Sequence, residues 1–172
     1  IWDADRCSGC VSCAKSCHQG TIRIVTGGDG RVQAPCSIAC PAHIDIPRYL
    51  RFAGEGKPAE AVAVIREKVP FPAALGRVCI HPCEGQCQRT QMDNPIAIKT
   101  IKRYSADHDT SELWRKGGFK LRPTGKKVAV VGGGPGGLTA AYYLAKKGHA
   151  VTVFEALPKA GGMMLVGIPD YR

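Results

Sequence analysis

Residues 128–155 read VAVVGGGPGGLTAAYYLAKKGHAVTVFE and decide the fold of the second half of the chain. The β-branched run Val128–Val131 predicts a strand that leads into glycines at GxGxxG spacing. An Ala- and Leu-rich helical segment follows, and a second predicted strand over 151–154 leads to Glu155. A strand, a turn, a helix and a strand within about thirty residues predict a βαβ unit.

Each glycine of this turn has its own physical role. Gly132 permits a tight turn, Gly134 lets the backbone approach a pyrophosphate, and Gly137 lets the helix pack against the sheet. The helix N-terminus presents unpaired N–H groups to negative charge, and Glu155 can accept hydrogen bonds from a ribose. We therefore predict a dinucleotide site rather than an ordinary glycine turn. The predicted cofactor-binding residues of the turn also include Pro135 and Gly136.

The sequence around the turn resembles the FAD fingerprint of flavoprotein oxidoreductases. Ala141 and Gly148 continue the pattern beyond GxGxxG, and Gly161 and Gly162 follow Glu155 as the second glycine doublet of that family does. The resemblance implies FAD rather than NAD at this turn, and it adds Gly162 to the cofactor-binding residues.

The composition of the 172 residues divides unevenly along the chain. All nine cysteines precede residue 88, whereas the glycine turn follows residue 131. The chain begins at Ile1 without a methionine and stops soon after one βαβ unit, although a nucleotide-binding domain should have several more strands. We therefore expect two or three small modules that are a piece of a longer polypeptide.

Four cysteines near the start are spaced C-x2-C-x2-C-x3-C. This spacing is typical of 4Fe-4S clusters, and a zinc site built from two CxxC knuckles is the weaker interpretation. With short apolar strands on either side, the segment resembles half of a bacterial-type ferredoxin. His18 stands where that family usually has proline, and we expect a surface histidine rather than a ligand. The predicted ligands are Cys7, Cys10, Cys13 and Cys17.

The fourth cysteine of such a run serves the other cluster in two-cluster ferredoxins. Either the partner motif precedes Ile1, or Cys17 closes a single cluster locally. The glycine turn TGGDGR at 26–31 then predicts a module boundary.

Five further cysteines form two groups, spaced C-x3-C-P and C-x3-C-x3-C. Apolar periodicity between and after the groups predicts helices over 46–54, 58–68 and 96–106, with Pro70 and Pro72 closing the second helix. So small a helical domain buries little apolar surface, and a metal centre joining both groups would stabilise it. These five cysteines are Cys36, Cys40, Cys79, Cys83 and Cys87.

The stretches APCSIACPAHIDIPRYL, GRVCIHPCEGQC and NPIAIKTIKRYSAD resemble the N-terminal iron-sulfur domain shared by the small subunit of NADPH-dependent glutamate synthase and dihydropyrimidine dehydrogenase. The resemblance covers residues 35–172 and implies an FAD domain after the iron-sulfur domain, with an NAD(P)H site further on. Two features depart from the family: the CxxC pair before Cys36 is absent, and Lys102 stands near the position of a Gln or Glu ligand. We therefore expect one 4Fe-4S centre from four of the five cysteines, with Lys102 raising its potential if it lies nearby. His43 and His81 are expected to be non-ligands.

The expected architecture has several modules. These are a ferredoxin-like α+β half (1–34), a small α-helical iron-sulfur domain (35–108), a linker (109–125) and the start of a Rossmann-like α/β FAD-binding domain (126–172). With both cluster segments the expected cofactors are about two 4Fe-4S clusters and FAD.

The formal charge of +10 and the basic stretch before the first strand identify no single class of partner. A solvated connector is the simplest interpretation and docking to an acidic redox partner the alternative; nucleic-acid binding is disfavoured because interleaved aromatic residues are absent. No apolar run predicts a membrane span, and cysteines used for metal fit a reducing cytoplasm. The basic residues are Arg115, Lys116, Lys120, Arg122, Lys126 and Lys127.

These patterns predict an electron-transfer subunit or fragment of an oxidoreductase that moves electrons between NAD(P)H, FAD and 4Fe-4S clusters. The expected partners are other redox subunits or domains of a larger complex. One alternative is an NADPH oxidoreductase of the glutamate synthase small-subunit type. An alternative of another class is a non-catalytic iron-sulfur scaffold or redox sensor.

Overall fold

The computed structural model describes residues 33–111, 122–169 and Tyr171. The predicted ferredoxin-like ligands, Cys7, Cys10, Cys13 and Cys17, lie outside the described residues. Eight α-helices, one 3-10 turn and two strands make up the described part. In chain order they are α1 (Pro35–Ala39), α2 (Ile46–Gly54), α3 (Pro58–Arg66), α4 (Pro72–Val78), α5 (Pro82–Gly85), the 3-10 turn (Gln88–Gln91), α6 (Ile98–Asp107), β1 (Lys127–Val131), α7 (Pro135–Lys146), β2 (Ala150–Phe154) and α8 (Met163–Val166).

Proline begins most of these helices. Its fixed φ suits the first helical turn, where its missing N–H costs nothing because that N–H has no helical partner. This corrects the prediction that Pro72 closes the second predicted helix, since Pro72 is the first residue of α4. The second predicted helix itself ends at Arg66 rather than Lys68, and the third begins at Ile98 rather than Ile96.

The core of the helical module lies between α2, α3 and α6. Ile46 and Tyr49 of α2 pack with Ile65 of α3 and Ile98 of α6, and each of these four side chains is buried. The hydroxyl of Tyr49 donates a hydrogen bond to the carbonyl oxygen of Ile98 at 3.0 Å. An aromatic side chain buried together with a satisfied hydroxyl fixes α2 against the start of α6.

Helices α4 and α6 approach each other closely at Gly76. A Cβ added to this glycine would lie 2.8 Å from the Cα of Arg103. On the outer side of the same contact, Arg77 donates two hydrogen bonds to the carboxylate of Asp107, at 3.0 and 3.1 Å. The glycine therefore sets the distance between the two helices.

The βαβ unit is confirmed, with β1 and β2 paired in parallel in the register Val128↔Val151 and Val131↔Phe154. Helix α7 crosses from one strand to the other and packs on both. Both strands begin one residue before the predicted bounds. Among the described helices, none is both long enough and apolar enough to cross a bilayer.

Candidate functional site

A small cavity in the helical module is lined by cysteines of both sequence groups. Cys40 follows α1, Cys79 follows α4, and Cys83 lies in the first turn of α5. Cys40 therefore faces the same space as two thiols that lie about forty residues further along the chain. The other residues that line the cavity are Pro41, Ile44, Ile46, Tyr49, His81, Pro82, Ile98, Lys99 and Lys102.

The loop from Cys79 to Cys83 turns sharply because of its histidine. His81 has a φ of +44°, a left-handed conformation that is uncommon for a residue other than glycine. Its backbone N–H donates a hydrogen bond to the Sγ of Cys79 at 3.3 Å. Pro82 then begins α5 and directs Cys83 into the interior. The strained residue thus brings two cysteine side chains to the same cavity.

The two histidines next to the cysteine groups lie in different surroundings. The Nδ1 of His81 lies 3.1 Å from Oε2 of Glu84, and His43 is exposed at a left-handed turn. That both histidines are non-ligands stays a prediction.

Cys36 and Cys87 do not line the cavity. Cys36 lies in α1, one turn before Cys40, and Cys87 is buried just before the 3-10 turn. The pKa of Cys36 is raised, chiefly by burial, and Cys87 adds a smaller electrostatic contribution of the same sign. These two thiols therefore lie near each other, beside the cavity that the other three line.

Burial disfavours the ionised form of the Cys83 thiol. It raises the pKa of Cys83 to about 11, and Cys40 and Cys79 raise that pKa further. Burial also raises the pKa of Tyr49, and the cysteines add to this effect, the largest contribution coming from Cys83. Thiolates crowded in such a place require positive charge, which bound iron would supply.

The chemistry of these donors fits a cluster better than a single ion. In the described part of the chain the five cysteines are free thiols, and no three His, Cys, Asp or Glu side chains converge tightly enough to hold one metal ion. A 4Fe-4S cluster has a different requirement, since each thiolate binds its own iron at a corner of a cube. Soft thiolates suit both zinc and iron-sulfur centres, and a cluster is the one of the two that does not need its thiolates to converge on a single ion.

Lys102 of α6 is a buried cation on the wall of this cavity. Only 6% of its surface is exposed, and its charge lowers the pKa of Cys83, which opposes the larger effect of burial. The sequence indicated Lys102 as a departure from the family, but only the packing of α6 brings it to the three thiols.

The glycine turn has the geometry that its sequence predicts. Gly132 has a φ of +98°, and a Cβ on Gly137 would overlap the carbonyl oxygen of Gly132. Gly134 is the N-cap residue of α7. A Cβ added to Gly134 would have one neighbour within 4 Å, the Cα of Gly162 at 3.9 Å. The backbone at the start of α7 is therefore accessible to a phosphate group. Pro135 and Gly136 occupy the first two positions of that helix.

Glu155 lies across the turn rather than away from it. Its Oε2 accepts a hydrogen bond from the N–H of Gly133 at 2.6 Å, and its Oε1 accepts one from Leu157 at 2.8 Å. These backbone N–H groups, Leu157 first and Gly133 second, lower the pKa of Glu155 and keep it ionised. That Glu155 accepts hydrogen bonds from a ribose stays a prediction.

Two residues of the site region escaped the sequence analysis. Tyr49 had only an apolar periodicity as its signal, and nothing in the sequence indicated that its ring lines the cysteine cavity. Ser37, between Cys36 and Cys40, accepts a hydrogen bond from the N–H of Ile46 at 3.2 Å and so fixes α1 against the start of α2.

Comparison with protein families divides the chain as the structure does. Residues 31–114 match the family described as dihydropyrimidine dehydrogenase domain II, 4Fe-4S cluster. Residues 130–165 match the NAD(P)-binding Rossmann-like domain. These matches support a 4Fe-4S cluster in the first segment and nucleotide binding in the second.

Several curated proteins are similar to most of this chain. The beta subunit of NADP(+)-dependent formate dehydrogenase from Moorella thermoacetica is 44% identical over 82% of this chain and 23% of its own length. The beta subunit of NADPH-Fe(3+) oxidoreductase from Geobacter sulfurreducens is 45% identical over 81% of this chain and 21% of its own length. The small chain of NADPH glutamate synthase from Bacillus subtilis is 39% identical over 77% of this chain and 27% of its own length. The chain thus spans about a quarter of the length of these relatives.

Proposed function

We propose that this chain transfers electrons between nucleotide and iron-sulfur cofactors. Residues 31–114 match the 4Fe-4S domain family of dihydropyrimidine dehydrogenase, and residues 130–165 match a Rossmann-like family. The observation that carries the proposal is the cavity in which Cys40, Cys79 and Cys83 meet. The names of the relatives, which describe NADPH- or NADP-dependent oxidoreductase subunits, support the same conclusion.

Three ligands of the proposed cluster are the cysteines that line the cavity. The fourth would come from Cys36 or Cys87, which lie near each other beside it. Burial around Cys83 and Tyr49 would exclude water from the cluster, and the N–H of His81 would add a hydrogen bond to the sulfur of Cys79. Burial and hydrogen bonds to sulfur are the factors that set cluster potentials.

The nucleotide cofactor that we propose for the glycine turn is FAD. The N–H groups at the start of α7 would face the pyrophosphate, and Glu155 would exchange its backbone partners for ribose hydroxyls. The cofactor-binding residues would be Gly132, Gly134, Pro135, Gly136, Gly137, Glu155 and Gly162. When bound, a flavin would supply the link between two-electron exchange with NAD(P)H and one-electron exchange with a cluster.

The segment before residue 35 would hold a second cluster through Cys7, Cys10, Cys13 and Cys17. Their spacing supports this ferredoxin-like assignment. Partner subunits or further domains would then carry out the substrate chemistry in a cytoplasmic complex, as the subunit names of the relatives suggest. A glutamate synthase type of oxidoreductase remains the alternative within this class, since its small chain is among the relatives.

Cofactor analysis of the full-length protein, purified without oxygen, tests the proposal. We expect about four irons and four sulfides for each cluster in the chain, together with flavin absorbance that NADPH or NADH bleaches. A cluster spectrum without flavin would instead support the scaffold or sensor function. A colourless protein free of iron would overturn the proposal.

A further inference from the structure

Lys102 carries a charge into the interior of the helical module, where an unpaired charge is costly. Only 6% of the residue is exposed, and it lies within α6 and on the wall of the cavity that Cys40, Cys79 and Cys83 line. A poorly solvated ammonium group keeps its proton most readily where a compensating negative charge lies close by. The structure therefore raises the question of which anion balances Lys102.

No carboxylate of the described residues supplies that anion. Glu84 lies on the neighbouring helix α5. One of its carboxylate oxygens accepts a hydrogen bond from the backbone N–H of Lys99 at 2.9 Å, and the other lies 3.1 Å from Nδ1 of His81. Asp107, further along α6, pairs with Arg77 and Arg103. Within residues 33–111 and 122–169, no acidic side chain forms an ion pair with Lys102.

The backbone of Lys102 is held in place from both ends of α6. At the start, Ile98 accepts the hydrogen bond from Tyr49, and one residue after Lys102 the Cα of Arg103 packs against Gly76. Ser105, fully buried, donates a hydrogen bond to the carbonyl oxygen of Ile101. Rotation of α6 that carried Lys102 out of this wall would break the contacts at Ile98 and Arg103.

We propose that Lys102 is the counter-charge of the iron-sulfur cluster in this cavity and raises its reduction potential. The inference rests on the proposed function, because it requires a cluster bound by the cavity cysteines. A cluster becomes more negative when it gains an electron, and a fixed cation nearby stabilises that reduced state. Low local dielectric strengthens the effect, and the buried side chains of Ile44, Ile46 and Ile98 line the same cavity.

A redox titration of the intact protein, followed by electron paramagnetic resonance of the reduced cluster, tests this role. Lys102→Met removes the charge and keeps a flexible side chain of comparable length. We expect at least a tenfold fall in the ratio of reduced to oxidised cluster at a fixed potential, which corresponds to a shift of about 59 mV for one electron. Lys102→Arg keeps the charge and should keep most of the wild-type ratio.

Arg103→Met is the matched control, since it removes one positive charge from the adjacent position of the same helix. The Arg103 side chain is 48% exposed and pairs with Asp107, so solvent screens its charge. We expect its ratio to change less than twofold. Equal shifts in the Lys102→Met and Arg103→Met variants would overturn the inference, as would an unchanged Lys102→Met potential.

Iron and sulfide content separates failure of this inference from failure of the proposed function. Wild-type protein without a cluster contradicts the proposed function, and Lys102 then has no cluster to balance. If the wild type holds its cluster and the Lys102→Met variant has the same cluster potential as the wild type, only the role of Lys102 is contradicted. If the Lys102→Met variant loses the cluster altogether, the Lys102→Gln variant is measured in its place. A cluster potential equal to that of the wild type would then contradict the inference, and a lower cluster potential would support it.

Discussion

The hydroxyl of Tyr143 donates a hydrogen bond to the backbone carbonyl oxygen of Lys68 at 2.7 Å. Tyr143 belongs to α7 of the βαβ unit, and Lys68 follows α3 of the helical module. This single bond joins residues 75 positions apart in sequence and couples the two modules of the proposed electron pathway.

Tyr143→Phe should weaken this coupling. Loss of one hydrogen bond between neutral groups costs about 1 kcal/mol, and the partly exposed position lets water replace the missing donor. Because of this replacement, we expect denaturant unfolding to give a free energy lower by at most about 1 kcal/mol. Tyr142→Phe is the control, because the Tyr142 ring meets the Tyr143 ring edge-on and its hydroxyl has no hydrogen-bond partner in the described part. Equal losses in the two variants would contradict the prediction.

Gly76→Ala should destabilise the helical module by about 1–3 kcal/mol, the usual cost of overpacking. The added Cβ would meet backbone and Cβ atoms of Arg103 at 2.8 and 2.9 Å, so α4 and α6 must move apart. Thermal unfolding of the variant measures the loss. Gly54→Ala, at the end of α2 with no atom within 4 Å of an added Cβ, should leave stability unchanged or slightly higher. A harmless Gly76→Ala would show that the helix contact is loose.

Gly137→Ala should weaken binding of the proposed flavin while the helical module stays folded. Its Cβ would overlap the carbonyl oxygen of Gly132, which forces the start of α7 away from β1. We expect the flavin dissociation constant to rise at least tenfold, measured by fluorescence titration of the apoprotein, with circular dichroism to check folding. Gly54→Ala, in the helical module and with no atom within 4 Å of the new Cβ, serves as the control for an added methyl group. Tight flavin binding by the Gly137→Ala variant would contradict the prediction.

Serine substitutions distinguish the proposed ligands among the five cysteines. Cys83→Ser should remove about four irons per chain, because Cys83 is buried among the thiols that line the cavity. Cys36→Ser and Cys87→Ser are compared with it under the same anaerobic conditions. If Cys40, Cys79 and Cys83 bind one cluster together with either Cys36 or Cys87, one of these two variants loses iron and the other does not. Iron loss in both, or in neither, would contradict that ligand set.

The ionisation of Glu155 should make stability depend on pH in the acidic range. Its backbone hydrogen bonds lower the folded-state pKa, so they stabilise the fold above the unfolded pKa of about 4.3. This contribution is lost as the pH falls through the folded pKa. We expect unfolding free energies measured below neutral pH to fall more steeply for the wild type than for Glu155→Gln. Parallel pH profiles would show that these hydrogen bonds make no difference to the ionised carboxylate.

The local elements follow from the sequence because their causes are local. Glycine spacing and two β-branched runs predict the βαβ unit, and a proline in the first turn is compatible with the start of α3. The prediction at Pro72 is wrong, since a proline after one helix can also begin the next. Cysteine spacing indicated metal ligands for a similar reason: close neighbours in sequence stay close in space.

Which of the distant residues meet was decided only by tertiary packing. The sequence could not tell which of the five cysteines share a cavity, because that depends on how α1, α4 and α5 pack. The burial of Lys102 follows from the contact of α6 with Gly76 and Tyr49, and the bond from Tyr143 to Lys68 follows from the docking of two modules. Propensity and spacing act within a few residues, whereas burial and charge pairing are properties of the assembled fold.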